Sequence, residues 1–490
     1  MDHCLSVLRA FPPDSALEKD EAYNTAIRSH LEALDGLLSK HMGNLVSHAE
    51  AILSALHPTR HTTSCITMIE TVIKTDPKSL SSRTELLDKI LQCLLLFDKR
   101  QVRYVGAAFR AILEHVLLTK TFSPRIAVDT VVTAILRLDP DGKILTSTHC
   151  MLANLAYTTG CLEYARPVME KSILFFPEPN FKPKLLCDKS LPPCAYVTYA
   201  TGLSSRLTST NLLEYDLMRA MMYIQQREWA PALDALEQCI SHPTDENAVS
   251  TIMLQAFYKW TLVSLLLYGR IIGFPGNPLP GAAAAFDSQG DPYITIDTLF
   301  AEENANGLKV HRDRHEARFI TDSNLRLVDE VIASFQKWQI VGLGNLYYKI
   351  SISEIRQLTQ SAVTGRSLDT EAEVEDLIKT MITSKMLNAT LEPSAFGRPA
   401  HLAFLPSPAP IPEAEYATQL EAAARSVAKV TADIEETNTA LGRNREYLRY
   451  LQKEKKRREK EGDGPRDPAV DFETHIEDED LMLGIGGTSA

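Results

Sequence analysis

Along most of this chain the apolar residues recur at steps of three and four. Ile27, Leu31, Leu34, Leu37 and Leu38 keep that spacing, and so do Leu86, Leu87, Ile90, Leu91 and Leu94. It predicts helices that each bury one face. Breaks fall at His57-Pro58, Thr75-Asp76-Pro77 and Asp139–Gly142, so the helices between them have ordinary lengths. In the middle the pattern recurs. Ala153, Ala156, Ala165, Met169 and Ser172, closed by Pro177, are echoed by Ala220, Tyr223, Ala232, Leu236 and Cys239, closed by Pro243. Ala165 and Ala232 lie 67 residues apart, close to two periods of the roughly 34-residue tetratricopeptide repeat. The small residues let paired helices approach, which predicts a helical-repeat solenoid. Thr261–Tyr268 is apolar but short, and Gln255 and Lys259 precede it. A span needs about 20 apolar residues, so this is a buried helix. The Pro-, Gly- and Ala-rich stretch 275–292 predicts an exposed, mobile loop.

From Gln339 to Leu405 the rhythm changes to helix, helix, helix, strand, strand, the order of a small winged-helix unit. Ser351-Ile352-Ser353-Glu354 and Thr370-Glu371-Ala372-Glu373 are capping boxes. After the first, Ile355, Leu358 and Thr359 are expected to face inward. After the second, Val374, Leu377, Ile378, Met381 and Ile382 share a face. Leu387, Ala389 and Leu391 alternate with Asn388 and Thr390, as a strand requires. Glu392–Pro399 reads as the wing and His401–Leu405 as the return strand. Ser407–Pro412 is a stiff linker.

One long helix follows, expected over 413–460. Tyr416, Leu420, Ala423, Val427, Val430, Ile434, Thr437, Leu441, Asn444, Leu448 and Leu451 alternate steps of four and three, a coiled-coil seam. A lone helix cannot bury such a seam, so it needs partner helices. Lys453–Lys460 is basic and reads as a nuclear signal, a nucleic-acid patch or a solvated helix end. Residues 461–490 carry nine acids against one arginine, which predicts a disordered tail.

Composition narrows the chemistry. The chain has 490 residues, enough for several cores, and a formal net charge of −12. That balance argues against general nucleic-acid binding, which needs Lys and Arg. The candidate recognition helix, Asp369–Met386, opposes five acids to two bases. The eight cysteines are scattered without a CxxC pair, which suits buried thiols in a reducing compartment. The N-terminus lacks the basic and apolar regions of a signal peptide. His57 and His61 sit four apart without an HExxH, and His242 has no His-x-His companion. No phosphate-binding or nucleophile-elbow glycine motif is present. Gly342 and Gly344 mark a helix end. Phe257, Tyr258 and Trp260 lie in an apolar helix and read as core. The residues encode no catalytic, metal or cofactor site.

Three stretches, Glu214–Ile240, Ile252–Gly269 and Asn345–Leu391, together with the helical repeats and the terminal helix, resemble the PCI family. The likeness spans roughly residues 200 to 455 and is general before that. This family supplies scaffold subunits of the proteasome lid, the COP-9 signalosome and a translation initiation factor complex, and the likeness is closest to the signalosome branch. The resemblance implies a mostly α protein: helical repeats over 1–200, the helical part of a PCI domain over 201–338, a winged helix over 339–406, a heptad helix over 413–460 and a tail over 461–490. It implies a non-catalytic scaffold of the cytoplasm and nucleus. Its partners would be other PCI subunits and a metalloprotease-bearing subunit that removes a ubiquitin-like modifier from cullins, reached indirectly. Leu387–Leu391 or His401–Leu405 would pair edge to edge with a neighbouring sheet. Tyr416, Leu420, Val427, Val430, Ile434, Leu441, Leu448 and Leu451 would join a helical bundle. A lid subunit and a nucleic-acid-associated PCI protein are the alternatives.

Overall fold

The computed structural model describes residues 2–13, 19–77, 80, 83–177, 183, 185–243, 249–273, 280–392, 400–405, 412–443 and 445–461. The described chain is mostly α, with one small sheet. It divides into Met1–Ile411 and Pro412–Ala490. In the first unit the helices run in succession from Asp2–Leu8 to Leu325–Leu343. Their inner faces merge into one core that runs from Leu8 to Phe335 and also takes in Ala362.

The repeated pattern is two helix pairs. Ser147–Thr159 packs with Leu162–Met169, and Ser209–Gln225 with Trp229–Ile240. Ala153, Ala156, Ala165, Ala220 and Ala232 are fully buried, so the small residues do mark the close approaches. Ser172 lies beyond its helix and is exposed. Phe257, Tyr258 and Trp260 are core side chains of the helix Thr251–Tyr268. Among the described residues no helix is long and apolar enough to cross a membrane.

The expected loop 275–292 is corrected from Pro280 onward: Pro280–Ala301 is a helix. Pro280 opens it, where no amide hydrogen is needed. Four alanines follow, and Ala282, Phe286, Tyr293, Ile296 and Phe300 form a buried stripe. That stripe outweighs Gly281, Gly290 and Pro292. Residues 274–279 of the expected loop lie outside the described residues, as do the wing 393–399, the linker 406–411 and the tail from 462.

Helix Leu325–Leu343 belongs to two cores. Val328, Val331, Ile332 and Phe335 pack in the repeat core, and Ile340 in the winged-helix core. The boundary expected between residues 338 and 339 therefore falls inside one helix.

Two buried histidines make this fold acid-sensitive. His149 Nδ1 meets Thr146 Oγ1 at 2.8 Å while its Nε2 is buried without a partner. His30 Nε2 meets Ser64 Oγ at 3.1 Å. Burial lowers both, each to about 4. Between 6.5 and 4 the unfolded chain binds these protons and the folded chain does not, so stability falls as pH falls. Asp216 opposes this: burial raises it to about 6, so the folded chain binds its proton first and gains. From pH 7 to 5 these two histidines cost about 2 kcal/mol each and Asp216 returns about 1; His61, His115, His242 and His311, also lowered, act in the same direction as the two histidines, and Asp139, also raised, acts with Asp216. Urea midpoints at the two pH values test this; an equal or higher midpoint at pH 5 would refute it.

Candidate assembly surfaces

The winged-helix unit is built by local signals. The Glu354 amide donates to Ser351 Oγ at 3.2 Å, and the Ser351 amide donates to Glu354 Oε2 at 3.1 Å. The Ser351 hydroxyl, donating to Glu354 Oε2 at 2.7 Å, and then that Ser351 amide lower the Glu354 carboxyl from its usual range. The box starts the helix Ile352–Leu358. Thr370 Oγ1 accepts from the Glu373 amide at 3.3 Å and starts Glu371–Thr383. Its core gathers Ile340, Ile350, Ile352, Ile355, Val374, Ile378, Met381, Leu402 and Phe404. Leu377 and Ile382 pack at its margin. Thr359 is buried and accepts from Gln336 Nε2 at 3.1 Å. Leu358 is 50% exposed, against expectation. It is the last residue of its helix, where the stripe has turned toward solvent.

The sheet has three strands: β1 (Lys349–Ser351), β2 (Ala389–Glu392) and β3 (His401–Phe404). Their order is β1-β3-β2, antiparallel throughout. This corrects one expectation: His401–Leu405 cannot offer an edge, because β3 is central and paired on both sides. β1, three residues long, escaped the sequence reading and is a second edge. The alternation Tyr348, Ile350 against Lys349, Ser351 is its only signal. Leu387 and Asn388 precede β2, and Ala389, Thr390 and Leu391 lie in it. The Leu405 amide donates to the Asn388 carbonyl at 3.0 Å, while the Phe404 amide donates to the Tyr348 carbonyl at 2.9 Å. Antiparallel bonding alternates along a strand. Thr390, opposite Ala403, therefore points its backbone groups at β3, and those of Ala389 and Leu391 point to the outer edge. No strand pairs with that edge among the described residues.

The helix at the recognition position exposes Glu371, Glu373 and Asp376. Its Lys379 is held by Asp376 at 3.2 Å and Glu375 at 3.6 Å. An acidic face whose central cation is already paired repels phosphate.

Beyond Pro412 the described residues form the helices Glu413–Arg443 and Arg445–Glu461. Asn444, the polar seam position between them, lies outside the described residues. On the first helix Tyr416, Leu420, Val427, Val430, Ile434 and Leu441 are exposed apolar side chains. Val427 is 66%, Val430 55% and Ile434 54% exposed. On the second, Leu448 is half-buried and Leu451 exposed. The basic run is part of this second helix.

The candidate catalytic residues do not converge. His61 Nδ1 accepts from the His57 amide at 3.1 Å, and His57 Nδ1 meets Thr59 Oγ1 at 2.7 Å. The two rings thus serve the turn around Pro58. His61 is buried. Among the described residues no group of three or more His, Cys, Asp or Glu could hold a metal. All eight cysteines are free thiols. Burial pushes Cys150 up to about 12 and raises Cys239 further, so neither is a ready nucleophile.

Comparison with known proteins agrees with this architecture. The family described as COP9 signalosome complex subunit 3, N-terminal helical repeats, matches residues 24–278. The match includes the N-terminal region that the motif resemblance left general. A COP9 signalosome complex subunit 3 of Neurospora crassa is 34% identical over 99% of both chains. One of Emericella nidulans is 27% identical over 78% of each. With helical repeats, a winged helix and C-terminal helices in that order, this chain belongs to the COP9 signalosome complex subunit 3 family.

Proposed function

We propose that this protein is a non-catalytic scaffold subunit of a COP9 signalosome. The observation that carries the reading is the apolar stripe Tyr416–Leu441, which a single helix cannot bury. It would join a bundle with helices of other subunits, extended through Leu448 and Leu451. The β2 edge, Leu387–Leu391, would pair with the sheet of a neighbouring PCI subunit. A metalloprotease-bearing subunit would remove the ubiquitin-like modifier from cullins, which this chain meets only indirectly. The assembly would work in cytoplasm and nucleus. On this reading the repeats give reach, the winged helix gives pairing and the C-terminal helices give cohesion.

The test is native affinity purification of the tagged full-length chain, with mass spectrometry of what accompanies it. PCI subunits with a metalloprotease subunit and cullins are expected. Proteasome core particles or RNA-processing factors in their place would overturn the reading. The β2 edge is tested in the same experiment. Leu391→Pro removes an outward amide and leaves the β2–β3 bonds intact, so recovery of neighbouring subunits should fall about tenfold while the melting temperature changes little. Thr390→Pro breaks a bond to β3 and should lower stability as well. Wild-type recovery with Leu391→Pro would exclude this edge as an interface.

A further inference from the structure

The N-terminal repeats contain a concentration of positive charge in a chain whose net charge is −12. The helix Thr84–Leu96 ends at Phe97, and the turn after it carries Lys99, Arg100 and Arg103. With Arg137 from the helix Pro124–Leu138 and Lys189 from the segment 185–190, they line one cavity of about 440 Å³. That volume falls within the roughly 300–1,000 Å³ of small-ligand pockets. Asp98 is the one carboxylate in the lining. It is already engaged, accepting from the Arg100 amide at 3.0 Å and from Gln101 Nε2 at 3.3 Å.

Two of the three guanidinium groups, Arg103 and Arg137, are fixed by carbonyls and rings rather than by acids. Arg103 is only 5% exposed. Its Nη1 donates to the Leu186 and Asp188 carbonyls at 2.8 and 2.7 Å, and its plane lies 3.8 Å from the Tyr196 ring centre. Its buried Nε has no hydrogen-bond partner among the described residues. Arg137 Nε donates to the Phe97 carbonyl at 2.9 Å. Arg100 alone has an ion pair, with Asp20 at 2.6 Å. Lys99, Arg103, Arg137 and Lys189 have no carboxylate within 4.0 Å among the described residues. Of the other carboxylates nearby, Asp188 is held by Ser190 at 2.7 Å and Asp139 by the Gly142 and Ile144 amides at 3.1 and 3.0 Å. The crowding of positive charge shows on Lys99, whose amine is lowered by burial and then by Arg137 and Arg103, against a smaller opposing pull from Asp139.

We propose that this cavity binds a phosphate-bearing anion. Carbonyls do not neutralise a guanidinium, so Arg103 and Arg137 keep their charge for a ligand while their rotamers are already set. Such preorganised arginines match the fork geometry of phosphate oxygens. Lys99 and Lys189 add two further point charges to the lining. The phosphate would come either from a free anion or from a phosphorylated side chain of a partner protein.

Isothermal titration of the full-length chain separates these outcomes. The probes are sodium tripolyphosphate, a serine-phosphorylated peptide and its unphosphorylated form. Saturable binding of a phosphate probe is expected, weakened about tenfold by Lys99→Gln with Lys189→Gln. Neither lysine is tied into the fold, so the urea midpoint without probe should match wild type. Tripolyphosphate alone binding identifies a free anion as the source; the phosphopeptide binding in preference to its unphosphorylated form identifies a partner segment. No saturable binding of either phosphate probe, or binding that the double variant leaves unchanged, overturns the proposal.

Discussion

Replacing Val427, Val430 and Ile434 with glutamate is expected to expel the chain from its assembly without unfolding it. These side chains are more than half exposed, so they add little to the stability of the isolated chain. Glutamate is also a better helix former than valine or isoleucine. In a bundle the same three positions would each bury an aliphatic side chain, worth about 1.5–3 kcal/mol. Losing them would remove roughly 5 kcal/mol, some three to four decades of affinity, before any penalty for buried charge. Affinity purification of the triple variant reads the loss, and circular dichroism checks that the helix persists. Recovery of partner subunits at the wild-type level would exclude the stripe as an interface.

Gly202→Val is expected to damage the repeats severely. Gly202 has a φ of +77°, and a Cβ there would lie 2.8 Å from both the Cβ and the amide nitrogen of Ala107. The opposing Gly106 is as tight: its Cβ would come 2.3 Å from the Thr201 carbonyl oxygen. Two backbones meet here, and neither yields as a flexible side chain would. The left-handed conformation costs a valine about 1–2 kcal/mol and the overlap 1–3 more, so a loss of roughly 3–4 kcal/mol follows. Gly43→Ala is the control. It sits in the helix Asp20–Ser47 with nothing within 4 Å of the added methyl. There alanine should stabilise, by up to about 1 kcal/mol. Urea midpoints of both variants check the opposite signs. A valine at 202 that unfolds at the wild-type midpoint would mean the two backbones move apart freely.

The readable stretches of this sequence were those where one residue decides one local bond. Ser351 with Glu354 formed its capping box, and Ala165 and Ala232 sat where helices touch. Reading failed where distant packing decides. In 280–292 the local signals conflict, four alanines against Gly281, Gly290 and Pro292, and the helix is secured by Phe286 stacking on Phe257 and by Tyr293 on Tyr258. β1 was too short for alternation to register, and its existence depends on pairing with β3. The edge status of β2 over β3 is a matter of strand order, which no spacing encodes. The basic cavity was invisible for the same reason: Lys99 and Arg137 are brought together from separate helices, and Lys189 from a later turn.

The helix Leu325–Leu343 ties two cores on one axis. A helix turns about 100° per residue, so its length sets the phase of everything beyond it. One residue gained or lost between Phe335 and Ile340 would swing the winged helix around that axis by more than a quarter turn. Both sheet edges would then face new directions, although neither strand had changed. Relatives that assemble in the same way must therefore keep the residue count of this segment even where its side chains vary. The helix acts as an indexing shaft: its residue count sets the angle at which the protein presents its sheet, and contacts such as Lys309 Nζ with the Thr364 carbonyl at 3.3 Å then hold that angle.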